Sequence, residues 1–171
     1  MLGLKRGTVE LVPHQDSWET EAAAAVSLLR LLFGSAAVDV QHVGSTAVPL
    51  IRAKPILDIA VGMRDIRETA SFILPLGQHG FIYRKEERPD EHLFVAGDFE
   101  RDTRTHHIHV VPWDSPAWRN YIRFRDLLNA DPETAARYDE LKAELAEAYA
   151  SDRNAYTAGK AAFIADVLAK E

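Results

Sequence analysis

Short apolar and β-branched runs alternate with polar turns over residues 1–112, and longer amphipathic stretches take over beyond them. The runs VELVPH, VDVQHVG, PILDIAVGM, FIYRK, HLFVAG and THHIHVVP, separated by Gly, Pro and charged residues, predict strands. Two helices are predicted among them. The first, DSWETEAAAAVSLLRLLFG, has Asp16 or Ser17 as its N-cap and ends at Gly34; the second, RDIRETASFILPLGQHG, starts near Asp65 and stops around Pro75. From Ser115 onward, SPAWRNYIRFRDLLNADP, PETAARYDELKAELAEAYAS and DRNAYTAGKAAFIADVLAKE carry Ala, Leu, Glu and Lys at helical spacing, with NADP and SDRN supplying breaks and caps. The pattern therefore predicts an α+β protein. A small mixed β-sheet with helices fills residues 1–112, and a C-terminal helical segment, 113–171, packs onto it.

Length and composition narrow this further. A chain of 171 residues without repeats or low-complexity linkers is expected to form one domain, 1–171. The net charge of −6 speaks against bulk nucleic-acid binding, which depends on many Lys and Arg contacts to phosphate. Cysteine is absent, which excludes disulfides, thiolate nucleophiles and thiolate metal sites, so any metal must be held by His, Asp or Glu. No apolar run reaches membrane-spanning length, and the start MLGLKRGTVELVPH has no leader-like apolar stretch, so a cytoplasmic location is expected.

One segment carries candidate chemistry. In HVGSTAVPLIRAKPILDIAV, residues 42–61, a small-residue turn at Gly44 and Ser45 is followed by an apolar strand bearing a single acid, Asp58. An ionised carboxylate in apolar surroundings requires a cation, a donor or a metal. A Gly-Ser turn opening a helix brings backbone N–H groups and a hydroxyl near phosphate oxygens, and Gly44 leaves room for the approach.

These residues resemble the signature of the nucleotidyltransferase superfamily, in which a Gly-Ser turn precedes an acid-x-acid pair on the next strand. Together with RTHHIHVV, FRDLLNADPETAARYDELKAEL and DRNAYTAGKAAFIADV, in that order and over nearly the whole chain, they resemble the GrpB family, UPF0157, of that superfamily. The resemblance implies a nucleotidyltransferase-like fold and relatives fused to dephospho-CoA kinase, and fixes the reaction less firmly than the fold. The sequence departs from the pattern twice. Ala60 stands where the second acid is expected, which weakens a two-metal mechanism, and Leu50 stands where Gly is expected after Val48 and Pro49.

The run RTHHIHVV offers replacements for the missing ligands. Alternation puts His107 and His109 on one strand face and His106 on the other, so the pair and Asp58 form a candidate three-ligand site, with Mn²⁺ or Zn²⁺ preferred to Mg²⁺. A hydrogen-bonded sheet histidine or a phosphate contact is the alternative for either; for His42 and His92 the structural role is the better reading. Lys54 is a candidate phosphate ligand or a solvated loop lysine. Arg52 and Arg104 are weaker candidates of the same kind. Tyr156 and Lys160 are i, i+4 neighbours on the last helix, and Lys160 is a candidate triphosphate clamp or a surface lysine. Arg119, Arg123 and Arg125 alternate with aromatics at a spacing that suits core packing, with Arg123 or Arg125 pairing to Asp126 or Glu140. Glu86, Glu87, Asp90 and Glu91 read as a hairpin tip, Glu91 being the one that reaches the cleft as a substitute base.

The candidate site is thus Asp58, His107 and His109 as catalytic and metal-binding residues, with Gly44, Ser45, Lys54 and Lys160 on the phosphates. The expected partners are a nucleoside triphosphate, a divalent metal and a small-molecule acceptor. A different class stays open: a nucleotide- or coenzyme-binding module, tied to CoA metabolism, that lost transferase chemistry with the acid at position 60.

Overall fold

The computed structural model describes residues 2–84 and 90–169. Helix α1 (Ser17–Phe33) forms where predicted because Trp18, Ala22, Ala25, Leu29 and Phe33 recur on one stripe and are buried together. Asp16 precedes it, but its side chain makes no capping bond. Burying each large side chain of that stripe is worth about 1.5–3 kcal/mol, which holds the helix against the sheet.

The central sheet has the order β2 (Ala37–Val43), β3 (Leu57–Met63), β7 (His106–Pro112), β5 (His92–Ala96) and β4 (Ile82–Arg84). The β3–β7 pair is parallel and the other neighbours are antiparallel. One face carries Val40, Ile59, Val61, Met63, Phe94, Ile108 and Val110 into a core closed by α1 and by α2 (Ile73–Gln78). The opposite face carries Val43, Ala60 and Val111 against Trp118 of α3 (Pro116–Ala130). Strand alternation does this sorting, and it sends Asp58, His107 and His109 to the α3 side.

Three expectations about elements are corrected. The run VELVPH is not a strand; Val12 makes only an isolated antiparallel bridge with Ala53. The second helix does not stop at Pro75. A 3₁₀ segment, Ile66–Phe72, capped by Asp65, leads into α2, whose first turn contains Pro75, where a missing N–H costs no intrahelical bond. The last predicted helix is divided into α5 (Arg153–Gly159) and α6 (Ala161–Ala169), with Lys160 at the junction. A short ribbon not predicted from the pattern pairs β1 (Leu4–Lys5) with β6 (Thr103–Arg104).

The C-terminal helices start on side-chain caps: Ser115 accepts from the Trp118 N–H, and Asp131 caps α4 (Pro132–Ala148) at Glu133 and Thr134. Helix α4 fixes the connection between β2 and β3. Asp139 accepts the backbone N–H and the guanidinium of Arg52, and the buried Lys142 donates to the Arg52 carbonyl. Val48 and Ile51 of this connection pack with Leu128, Ala135 and Tyr138. Leu50 lies exposed beside them and keeps a negative φ, so the turn does not require the glycine expected there. Among the described residues no helix is long and apolar enough to cross a membrane.

Candidate active site

Parallel pairing sets Asp58 opposite His107 and Ala60 opposite His109. The Asp58 Oδ1 lies 3.1 Å from His109 Nε2 and 3.4 Å from His107 Nδ1, with the two imidazole planes nearly perpendicular at 80°. One ligand atom from each of the three residues fits within 4.8 Å of the others. Glu91, arriving just before β5, puts Oε1 3.0 Å from His109 Nδ1 and accepts a 2.7 Å bond from the Tyr121 hydroxyl of α3. His109 therefore bridges two carboxylates, Asp58 and Glu91.

That bridge sets the charge states. Burial favours neutral His109, but hydrogen bonds and charge from Asp58 and Glu91 outweigh it and raise its pKa to about 9. His107 responds in the opposite sense: burial pushes it below the usual imidazole range, and Asp58 offsets this only in part. Burial opposes ionisation of Asp58, yet the bonds from His107 and His109 hold it well below the usual carboxylate range.

Gly44 fits this carboxylate closely. Its φ of 72° lies in the region that favours glycine, and a β-carbon there would sit 2.7 Å from Asp58 Oδ2. The following residues Ser45–Ala47 form a 3₁₀ turn, and Ser45 and Tyr138 both line the space in front of it. Two ammonium groups approach the Tyr156 ring, Lys54 Nζ at 5.4 Å and Lys160 Nζ at 4.6 Å from its centroid. Burial, reinforced by the charges of Lys54 and Arg153, lowers the Lys160 pKa to about 8 against the pull of Asp58. Lys54 is likewise lowered, by burial first. Among the described residues, none of Lys54, Arg153 and Lys160 has a carboxylate at ion-pair distance.

A cleft of about 730 Å³ joins these groups. Gly44, Ser45, Lys54, Asp58, His107, His109 and Lys160 all line it, so every residue singled out for the site faces one space. Phe124, Ile164 and Leu168 make its apolar wall. Glu91 reaches it as the sequence suggested, whereas Glu86 and Glu87 lie outside the described residues and Asp90 is exposed. Sequence reasoning missed Tyr121, Tyr138 and Arg153. Tyr121 is one of the aromatics that alternate with Arg119, Arg123 and Arg125 at core spacing, and no spacing connects Arg153 with Lys54. The weaker candidates resolve structurally. Arg52 pairs with Asp139, Arg125 with Asp126 and the Gln41 and His42 oxygens, and Arg104 with the Thr103 carbonyl and Asp102. His42 bonds Thr46, His92 bonds Tyr83, and His106 bonds Thr105.

Comparison with known proteins gives a consistent result. Residues 8–170 match the family described as GrpB protein. The chain is 37% identical to the glutamate-rich protein GrpB of Alkalihalophilus pseudofirmus over 171 residues, covering 98% of both. It is 28% identical to a dephospho-CoA kinase of Mycolicibacterium paratuberculosis, over 95% of this chain and 46% of that protein. Among solved structures it is similar to the conserved protein GrpB of Enterococcus faecalis, with TM-score 0.84 and 27% identity over 92% of this chain and 94% of that one. The Cid1 poly(U) polymerase with Mg and 3′-dATP bound gives TM-score 0.51 and 17% identity over 86% of this chain and 49% of that one, a likeness of fold.

Proposed function

The chain belongs to the GrpB family and has a nucleotidyltransferase-like fold, and from that premise we propose that it binds a nucleoside triphosphate with a divalent metal and transfers a nucleotidyl or phosphoryl group to a small molecule. The observation that carries the reading is the meeting, in one cleft, of the Asp58–His107–His109 group with Lys54, Arg153 and Lys160. Polyphosphate transfer needs both: ligands for a metal at the reacting phosphate and fixed cations for the rest of the chain.

The donor set fits a metal. Glu91 at His109 Nδ1 orients the ring so that Nε2 faces Asp58, the arrangement in which a carboxylate supports a metal-bound imidazole. One carboxylate and two imidazoles favour Mn²⁺ or Zn²⁺ over Mg²⁺. When bound, the metal supplies Lewis-acid stabilisation of charge on the phosphate. Ser45 and the backbone of its turn hold phosphate oxygens, Lys54, Arg153 and Lys160 clamp the remaining phosphates, and neutral His107 ligates or takes the proton of the acceptor hydroxyl. A small-molecule acceptor suits a chain of net charge −6 better than a nucleic acid.

Titration of Mn²⁺ with ATP into wild type and Asp58→Asn tests the reading. Metal-dependent nucleotide binding and turnover are expected in wild type and absent in the variant; equal metal and nucleotide affinity in the two overturns it.

Ala60 favours a second reading, a binding module for a nucleotide or coenzyme. Buried under Trp118, it leaves no second acid on β3. The partial match to a dephospho-CoA kinase points the same way, toward a role beside CoA metabolism. Such a module binds ligand without turnover before or after the Asp58 change.

A further inference from the structure

Beside the cleft lies a narrow recess of about 10 Å³ that shares Lys54, Ile56, His107 and Arg153 with it. Its far side is made by the turn at residues 5–8 and by Arg104. The turn is a built feature. Pairing of β1 with β6 sets Lys5 opposite Thr103, the Thr8 hydroxyl donates 2.7 Å to the Lys5 carbonyl, and the Arg6 N–H donates 2.8 Å to the Asp102 carbonyl. Lys5, Arg6, Lys54, Arg104 and Arg153 therefore surround one small space.

Their charge is poorly compensated. Arg104 meets Asp102 at 3.4 Å, while among the described residues the other four have no carboxylate at ion-pair distance. Cations gathered this way repel one another unless an anion joins them, and this in a chain whose net charge is −6. A space of about 10 Å³ admits one water-sized group. A phosphate thus enters by a single oxygen and leaves the others at the mouth, toward Lys54 and Arg153.

We propose that this recess, which meets the Asp58–His107–His109 group only at His107, is a phosphate subsite that takes a terminal phosphate monoester or polyphosphate group of a substrate. The proposal rests on reading the cleft as a nucleotide site, and it adds a substrate class: either the acceptor itself is phosphorylated, or the nucleotide's own terminal phosphate reaches the turn at residues 5–8.

Calorimetric titration of inorganic phosphate at low ionic strength, in EDTA, tests it on wild type, on the double variant Lys5→Ala/Arg6→Ala, and on Arg64→Ala. Lys5 and Arg6 are exposed, so their removal leaves the core intact. The double variant is expected to weaken phosphate binding about tenfold or more, the scale of losing charge-assisted bonds to phosphate, while Arg64→Ala, an exposed cation away from both spaces, leaves it unchanged. A repeat with saturating ATP identifies the source: phosphate that binds alongside ATP marks an acceptor subsite, and phosphate displaced by ATP marks the nucleotide's terminal group. Wild type that binds no phosphate, or a double variant with wild-type affinity, overturns the proposal. The Mn²⁺ titration with Asp58→Asn reads the other end of the cleft, so either idea fails without the other.

Discussion

A β-carbon on residue 44 would stand 2.7 Å from Oδ2 of Asp58, and the backbone at Gly44 has a φ of 72°. The glycine thus serves the carboxylate as much as any ligand, since no other residue lets β3 and the turn come so close. Gly44→Ala is expected to cost about 1–3 kcal/mol of stability through backbone strain and to turn Asp58 away from His109. Chemical denaturation reads the first effect and Mn²⁺ titration the second. A variant with wild-type metal affinity shows that Asp58 needs no such contact.

The Tyr156 ring holds Lys160 where its ammonium faces the cleft, and burial beside Lys54 lowers its pKa to about 8. Its charged form, the one able to bind phosphate, is therefore lost as pH rises through about 8. Nucleoside triphosphate affinity is expected to fall over that range in wild type. Lys160→Ala is expected to lower affinity about tenfold at pH 7, on the scale of one charge-assisted contact, and to flatten the fall. An unaltered pH profile in the variant removes Lys160 from the phosphate clamp.

The grouping of Asp58, His107 and His109 was legible because two short strands with one acid and a His-x-His pair admit only one shared face. Their parallel adjacency was not, since pairing joins residues about fifty positions apart and no local pattern encodes it. The same limit hid Tyr121, which periodicity assigns to core: its ring does pack against His109, 5.0 Å between centroids, while its hydroxyl serves Glu91. VELVPH misled because apolar alternation was satisfied by packing, with Val12 partly buried beside Trp18 and Ala53 and only a single bridge formed. Pro75 misled because a 3₁₀ segment absorbed the start of the helix and moved proline into its first turn.

Two histidines two residues apart are expected to differ in protonation at pH 7.5 in the metal-free protein: His109 protonated between Asp58 and Glu91, His107 neutral through burial. Ring-nitrogen NMR reads this directly. Glu91→Gln removes one flanking charge, so the His109 pKa is expected to drop from about 9 toward the ordinary 6.5. Because its folded pKa lies above the unfolded one, His109 contributes stability that is full below about 6.5 and lost as pH rises through about 9. Lys142, lowered by burial to about 7, acts oppositely: its cost is relieved as pH rises from about 7 toward 10.5. A melting curve mixes the two, whereas the NMR titration separates them. A His109 ring neutral at pH 7.5 overturns the bridging assignment.

Metal binding at this site must expel the His109 proton, since imidazolium cannot ligate. Asp58 is already ionised and His107 already neutral near pH 7, so neither contributes a second proton. One proton per metal is therefore released between pH about 7 and about 9. Apparent Mn²⁺ affinity is expected to climb about tenfold per pH unit from near 7 and to level off near 9, later than an ordinary histidine pair allows. Calorimetry in buffers of different ionisation enthalpy counts the proton independently of the affinity. Tighter binding of Mg²⁺ than of Mn²⁺, or affinity that stays constant between pH 7 and 9, removes His109 from the ligand set. Asp58 is then left as the acid that orients the two histidines and, through Gly44, the phosphate turn.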